Sequence, residues 1–310
     1  MALIYYAKLN INSVVFDIYS GKVKIHEILD KLYTKIDEET EFAKTTSFYI
    51  EEESELKEIT ELYCFSDIVK SLSPRKYISG KVVRRFPLHT EEFDEETRTS
   101  RKVVLQNNSV SINFYFDVDN EIISFCTRQK FGQNQFVEAF QGLVNQYMKD
   151  IDFEIIILQD SLNIREKLQK VYKITKIKSV FVPPNANEEH LRAMYDNSVK
   201  NMEDANVTKK TNIFETSKKS NKGINLQAKM IEDILGTEEA HKKYKNGYAK
   251  IEAEGEHEDG SRFHYSSEKD SPYITVIDDE IKNVIPEFIL CSQNGINIYI
   301  ANKMRIQIDV

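Results

Sequence analysis

The sequence predicts an α+β protein: a strand-rich N-terminal half with few helices, packed against a mixed α+β C-terminal half that ends in β-hairpins. Three observations carry this. Period-two alternation sets in over Ser47–Phe65 and recurs at Val110–Phe116. The bulky residues are 16 Tyr and 17 Phe with no Trp, material that joins abundant Ile and Val in suiting pleated surfaces. Hairpins, helices and strands follow one another without a repeating βαβ order. With 310 residues the chain can bury a sizeable core, and the pattern divides it into 1–160 and a basic 161–310.

Leu3–Ile11 is apolar on both faces and reads as a central strand. Ile25, Ile28, Leu29, Leu32 and Ile36 recur at helical spacing, placing an amphipathic helix over Lys24–Glu38. Phe48/Ile50 and Ile59–Phe65 mark two strands, with Glu51–Glu55 as a solvated connection. Tyr77–Phe86 and Val103–Phe116 are further strands. Val110, Ile112, Phe114 and Phe116 alternate with polar neighbours, Asp117–Asn120 turns, and Glu121–Cys126 returns as the second strand of a hairpin. Asn134 then caps a helix whose stripe is Phe136, Val137, Phe140, Leu143, Val144 and Tyr147. Phe153–Leu158 is a buried strand.

In the second half, Leu162–Val171 reads as a short helix and Ile174–Val182 as a strand stopped by Pro183-Pro184. Asn187–Glu203 is a helix and Lys209–Glu215 a strand. Asn225 caps a helix through Leu226, Met230, Ile231 and Leu235. Gly247–Gly255 and Arg262–Ser267 flank the Asp259-Gly260 turn of a hairpin. Glu287–Ile300, with Asn294-Gly295, reads as another hairpin with a type I′ turn, and Lys303–Val310 as a last strand.

Charge is divided along the chain. Asp37–Glu61 holds ten acidic residues and two lysines, whereas Ser161–Lys250 holds eighteen Lys and Arg against eleven Asp and Glu. Such a segregated field selects which partner meets which face. Cys64, Cys126 and Cys291 stand far apart in apolar, strand-like stretches without metal spacing, as reduced structural thiols do. The N-terminus has no basic n-region, and no apolar run approaches a bilayer span, so a cytoplasmic protein with no membrane partner is expected.

Two constellations bear on chemistry. Asp117, Asp119 and Glu121 cluster at a hairpin tip, where carboxylates can hold Mg²⁺ in a metal-dependent nuclease with Lys130 near the phosphate. The spacing matches neither a calcium loop nor the common nuclease arrangement, and Asp and Asn serve turns for local reasons, so the turn reading is preferred and no metal or cofactor is expected. His257 and His264 flank a turn but lack further zinc ligands. Neither a nucleophile elbow nor a phosphate-cradling glycine loop occurs.

The basic region is the stronger lead. Lys167, Lys170, Lys176, Lys209, Lys210, Lys218, Lys219, Lys222 and Lys243 form the candidate nucleic-acid surface, since clustered lysines release counterions from phosphates. Tyr172, Phe214 and Tyr244 are aromatic partners for unpaired bases. A solvated lysine face is the competing reading. The acidic stretch is read as solvation, with docking on a basic partner or on the basic half of another copy as the alternative.

The segments Phe114-Tyr115-Phe116-Asp117, Gln135–Phe140, Lys178–Asn185 and Gly247–Gly255 together resemble an uncharacterised bacterial family of unknown function associated with phage-defence loci. None carries a catalytic motif. The resemblance implies a prokaryotic or phage context and transfers no functional residue. The expected function is therefore a non-enzymatic phage-defence or counter-defence factor that binds a macromolecule, nucleic acid first. A metal-dependent nuclease is the alternative, and an inhibitor or sensor binding a partner protein of a defence system, or self-associating as a homo-oligomer, is the third reading.

Overall fold

A computed structural model of the protein describes residues 1–50, 55–183, 198–217, 219–235 and 248–305. Strand β1 (Ala2–Ile11) is its hub. One edge of β1 pairs with β6 (Ile122–Cys126). The other edge is shared end to end: β12 (Ile274–Ile277) takes Ala2–Tyr5, and β7 (Phe153–Ile157) takes Ala7–Ile11. From β6 the sheet continues through β5 (Thr99–Asp117), β4 (Tyr77–Asp94), β3 (Glu55–Ser71) and β2 (Glu41–Ile50), making eight antiparallel strands. A strand that is apolar on both faces needs cover on both, and β1 has it. Helices α2 (Ile25–Lys35) and α3 (Gln133–Tyr147), which follow the short α1 (Val15–Tyr19), seal one face with a phenylalanine-rich core.

The second sheet is small, in the order β11 (Arg262–Ser266), β10 (Tyr248–Glu256), β8 (Lys173–Val182) and β9 (Lys210–Glu215), again antiparallel throughout. Ile177, Ile251, Ala253 and Tyr265 pack there with Ile164 and Leu168 of α4 (Ser161–Gln169), and with Ile231 and Leu235 of the helical turn α6 (229–235). Helix α5 (Ser198–Asp204) lies between β8 and β9 in the chain. The sheets meet where Ile156 of β7 packs on Val182 of β8 and Lys209 Nζ reaches Glu154 Oε1 at 2.8 Å. The expected α+β class and the strand-rich N-terminal half are borne out. Residues 1–160 supply seven strands of the large sheet, while β12 and the final helix return to it from the far end of the chain.

That final helix corrects the predicted C-terminal hairpin. Residues Ile285–Arg305 form one α-helix, α8, and Asn294-Gly295 is no turn. Phe288, Ser292, Gly295, Ile296 and Tyr299 fall on its inner face, with Phe288 and Ile296 fully buried. Gly295 is there for close approach: a Cβ at this position would collide with the Tyr6 hydroxyl of β1. Cys291 accordingly sits in a helix, while Cys64 and Cys126 lie in strands; all three are free thiols.

Smaller differences have equally local causes. Helix α3 begins one residue before Asn134, with Gly132 as N-cap, because the Gln135 side chain accepts the Gly132 N–H at 3.0 Å. Strand β4 runs beyond Phe86, passing Pro87 through a register shift between Phe86 and Leu88 that spares the missing N–H. The described acidic residues Glu41, Glu58 and Glu61 lie on strands, Glu41 beside Arg85 and Glu61 beside Arg84. Residues 51–54 of the predicted connection, most of helix Asn187–Glu203 and the segment after Arg305 lie outside the described residues.

Candidate nucleic-acid interface

The register of the small sheet sorts its charges. On the face away from α4, Lys176 stands opposite Glu215 and Glu254, and Lys178 opposite Glu252 and Ile213. These cross-strand neighbours are ion-paired: Lys176 with Glu215 at 2.8 Å and Lys178 with Glu252 at 2.8 Å. Lys250 bridges Glu252 at 2.9 Å and Glu268, in α7 (Ser267–Asp270), at 2.7 Å. Burial would depress the Lys250 ammonium, but the bonds to Glu268 and Glu252 hold it above its usual value. This face is a lysine–glutamate ladder, not a basic surface.

The predicted lysines therefore separate into two groups. Lys176 and Lys209 are ion-paired, and Lys167 donates to the backbone carbonyl of Asp270. Lys170, Lys210, Lys219 and Lys222 are exposed and have no acidic partner among the described residues. Lys218 and Lys243 lie outside the described residues.

A groove of about 280 Å³ lies between the end of α4 and the loop at 223–227. Its apolar lining includes Leu168, Val171, Ile174, Ile224 and Leu226. Tyr172 stands in it at 68% exposure. Lys170 and Lys222 each neighbour lining residues in the chain, and Lys173 lines the groove itself, with Glu256 at 3.8 Å from its Nζ. The loop is zipped onto β8 by the Ile224 N–H to Ile174 carbonyl bond of 2.8 Å. Gly223 permits that approach, since a Cβ there would meet the Ile174 backbone nitrogen at 2.9 Å. The result is an exposed aromatic ring beside a firm backbone wall, with Lys173 in the lining.

The acidic cluster is engaged in its own turn. Asp117 is fully buried; one carboxylate oxygen accepts the Asn120 backbone N–H at 3.0 Å and the other the Asn120 side-chain amide at 3.1 Å. Burial pushes the Asp117 carboxyl above the usual range, and the Asn120 bonds and Arg75, 3.6 Å away, offset part of that rise. Arg75 also reaches Asn297 of α8 at 2.5 Å, so Asp117 helps tie the hairpin to the final helix. Glu121 pairs with Lys8 at 3.1 Å, and Asp119 accepts the Lys76 N–H at 3.4 Å. Each carboxylate has a structural partner. Among the described residues no three His, Cys, Asp or Glu side chains are grouped to hold a metal ion. His257 packs edge-on against Phe263, and His264 stands opposite Glu254.

The family described as a domain of unknown function, DUF4747, matches residues 4–285. The chain belongs to the DUF4747 family. The resemblance read from four short segments thus holds at the level of an uncharacterised family, over nearly the whole chain. A search among curated proteins returns no match. No helix among the described residues of this DUF4747 protein is long and apolar enough to cross a membrane.

Sequence reasoning found Lys170, Lys222 and Tyr172 but missed the wall that makes them a site. Gly223 reads as the end of a polar loop, Ser217–Gly223, and Asn225 as the cap of a helix, whereas the helical turn begins only at 229. The available signal was the glycine followed by Ile224 and Leu226, an apolar pair too short for an element yet needing something to cover.

Proposed function

We propose that this DUF4747 protein is a non-enzymatic factor that binds single-stranded nucleic acid at the Tyr172 groove, acting in the conflict between prokaryote and phage. The observation that supports it is the exposed Tyr172 ring in a groove whose lining residues adjoin Lys170 and Lys222 in the chain, neither of which has an acidic partner among the described residues. Every base offers a π-face, so stacking on tyrosine is sequence-tolerant, while the lysines neutralise phosphates. The binding surface is narrower than the full lysine set, because Lys176 and Lys209 are held by Glu215 and Glu154. The phage setting is carried by the family resemblance, and gene neighbourhood reads it directly.

Fluorescence anisotropy with labelled DNA and RNA oligonucleotides over a salt series tests the binding. Affinity falls with salt, with a slope of roughly −0.7 per phosphate contact for single strands. Lys170→Glu with Lys222→Glu weakens binding and flattens the slope. Tyr172→Ala weakens it by about 1–3 kcal/mol and leaves the slope unchanged, since stacking releases no counterions. Unchanged affinity in the double lysine variant overturns the assignment.

A further inference from the structure

Strands β4 and β5 outrun their neighbours. The β3–β4 pairing ends at Leu62 opposite Arg85, whereas β4 and β5 stay paired out to Asp94 opposite Thr99. Among the described residues, the seven pairs from Leu88–Leu105 to Asp94–Thr99 have no third strand, since β3 pairs with β4 only up to Arg85 and β6 joins β5 only at Phe114–Asp117. A lone two-stranded ribbon is marginal in water and needs a surface against which to bury its apolar residues. This ribbon exposes Phe93 at 61%, Leu105 at 47% and Val104 at 41%. In the chain Phe93 is flanked by the acidic residues Glu91, Glu92, Asp94, Glu95 and Glu96. The cations of the ribbon are Arg98, Arg101 and Lys102, and Arg101 is engaged by Glu92 at 2.6 Å. Its tip is an apolar anchor in an acidic setting.

The Tyr172 groove is its complement: Leu168, Ile174 and Leu226 give it an apolar lining, Lys173 lies in its wall, and the exposed Lys170 and Lys222 adjoin lining residues in the chain. We propose that the β4–β5 ribbon of one copy docks in the Tyr172 groove of a second copy, with Phe93 as the apolar anchor. Charge complementarity argues for this occupant, since an acidic ribbon is repelled by nucleic acid and attracted by these lysines. The two surfaces differ, so the contact is heterologous: each copy offers a ribbon and a groove, and assembly runs head to tail. One ribbon face is a small interface, so association is weak and salt-sensitive.

Sedimentation velocity over concentration at low and high salt tests this. The wild-type chain is expected to self-associate at low salt and to dissociate as salt rises. Phe93→Asp alone, and Lys170→Glu with Lys222→Glu alone, each weaken association at least about tenfold, the equivalent of about 1.4 kcal/mol. All three positions are exposed, and unchanged thermal melts verify the fold. Mixing supplies the decisive arm: the Phe93→Asp chain keeps its groove and the lysine variant keeps its ribbon, so the mixture forms a dimer of one copy of each and nothing larger. A wild-type chain that stays monomeric at low salt up to about 100 µM overturns the proposal. So does a mixture that forms no heterodimer. The Phe93→Asp chain also separates this inference from nucleic-acid binding. It should bind oligonucleotide at least as tightly as wild type, and absence of that binding with self-association intact removes the nucleic-acid reading alone.

Discussion

The two faces of the eight-stranded sheet are built from different chemistry. Under α3, Phe65, Phe114, Phe116 and Phe136 surround Phe140, with Phe114 and Phe140 edge-on at 5.2 Å and Phe125 stacked on Phe136 at 3.8 Å. Under α8 the large side chains are tyrosines whose hydroxyls have partners. Tyr6 bonds Thr275 at 2.7 Å, Tyr273 donates to the Gly295 carbonyl at 2.8 Å, and Gln293 donates to Tyr115 at 3.2 Å. Dispersion among carbon rings holds α3, and many packings of similar volume approximate it. Buried hydroxyls demand particular partners, so the second face fixes where α8 sits along its axis as well as that it sits there.

This comparison yields measurable differences. Phe140→Ala removes the ring at the centre of the first face and should lower unfolding free energy by about 3–5 kcal/mol in urea titrations. Gly295→Ala attacks the second face by overpacking against Tyr6 and should cost about 1–3 kcal/mol. Because that clash is with the hydroxyl, combining it with Tyr6→Phe should recover part of the loss, and strict additivity in the double-mutant cycle would break the account.

Alkaline titration probes the buried hydroxyls of the second face. Burial pushes the Tyr115 and Tyr273 hydroxyls up to about 12. It pushes Tyr6 higher still, against the lowering effect of Thr275. The folded state favours the neutral phenols, so their contribution is complete below the ordinary tyrosine value near 10 and is lost as pH rises through about 12. Phenolate absorbance and near-ultraviolet dichroism, unobscured since the chain has no Trp, should report α8 loosening in that window. The phenylalanine face holds Tyr63 and Tyr147, whose hydroxyls burial also raises, so Tyr115→Phe and Tyr273→Phe variants are needed to assign the change to the second face. The smallest effect is expected from Gln293→Ala, about 0.5–1.5 kcal/mol for the bond to Tyr115, read from the same urea titrations.

Much of the first face was legible in the residue order. Alternation at Val110–Phe116 and the Phe136–Tyr147 stripe place a strand and a helix, with apolar faces that must meet. The second face was not. Glycine meets two different demands, left-handed backbone and close approach, and Asn294-Gly295 carries the same letters for either. The deciding neighbour is Tyr6, almost the full chain length away. The stripe Phe288, Ser292, Gly295, Ile296 and Tyr299 was a helical signal overridden by the turn dipeptide.

The candidate site divides in the same way. The basic bias of the second half and an aromatic residue within it are one-dimensional properties, visible without folding. Long-range packing puts Glu215 beside Lys176 and Glu154 near Lys209, and leaves Lys170 and Lys222 exposed without an acidic partner among the described residues. The sequence by itself determined the α+β class, the strand-rich first half and the division of charge, because composition and periodicity act locally. Only the tertiary structure decided which lysines remain available and which face α8 covers. Pairing depends on which residues meet across strands, and that distance is set by the fold and not by position in the chain.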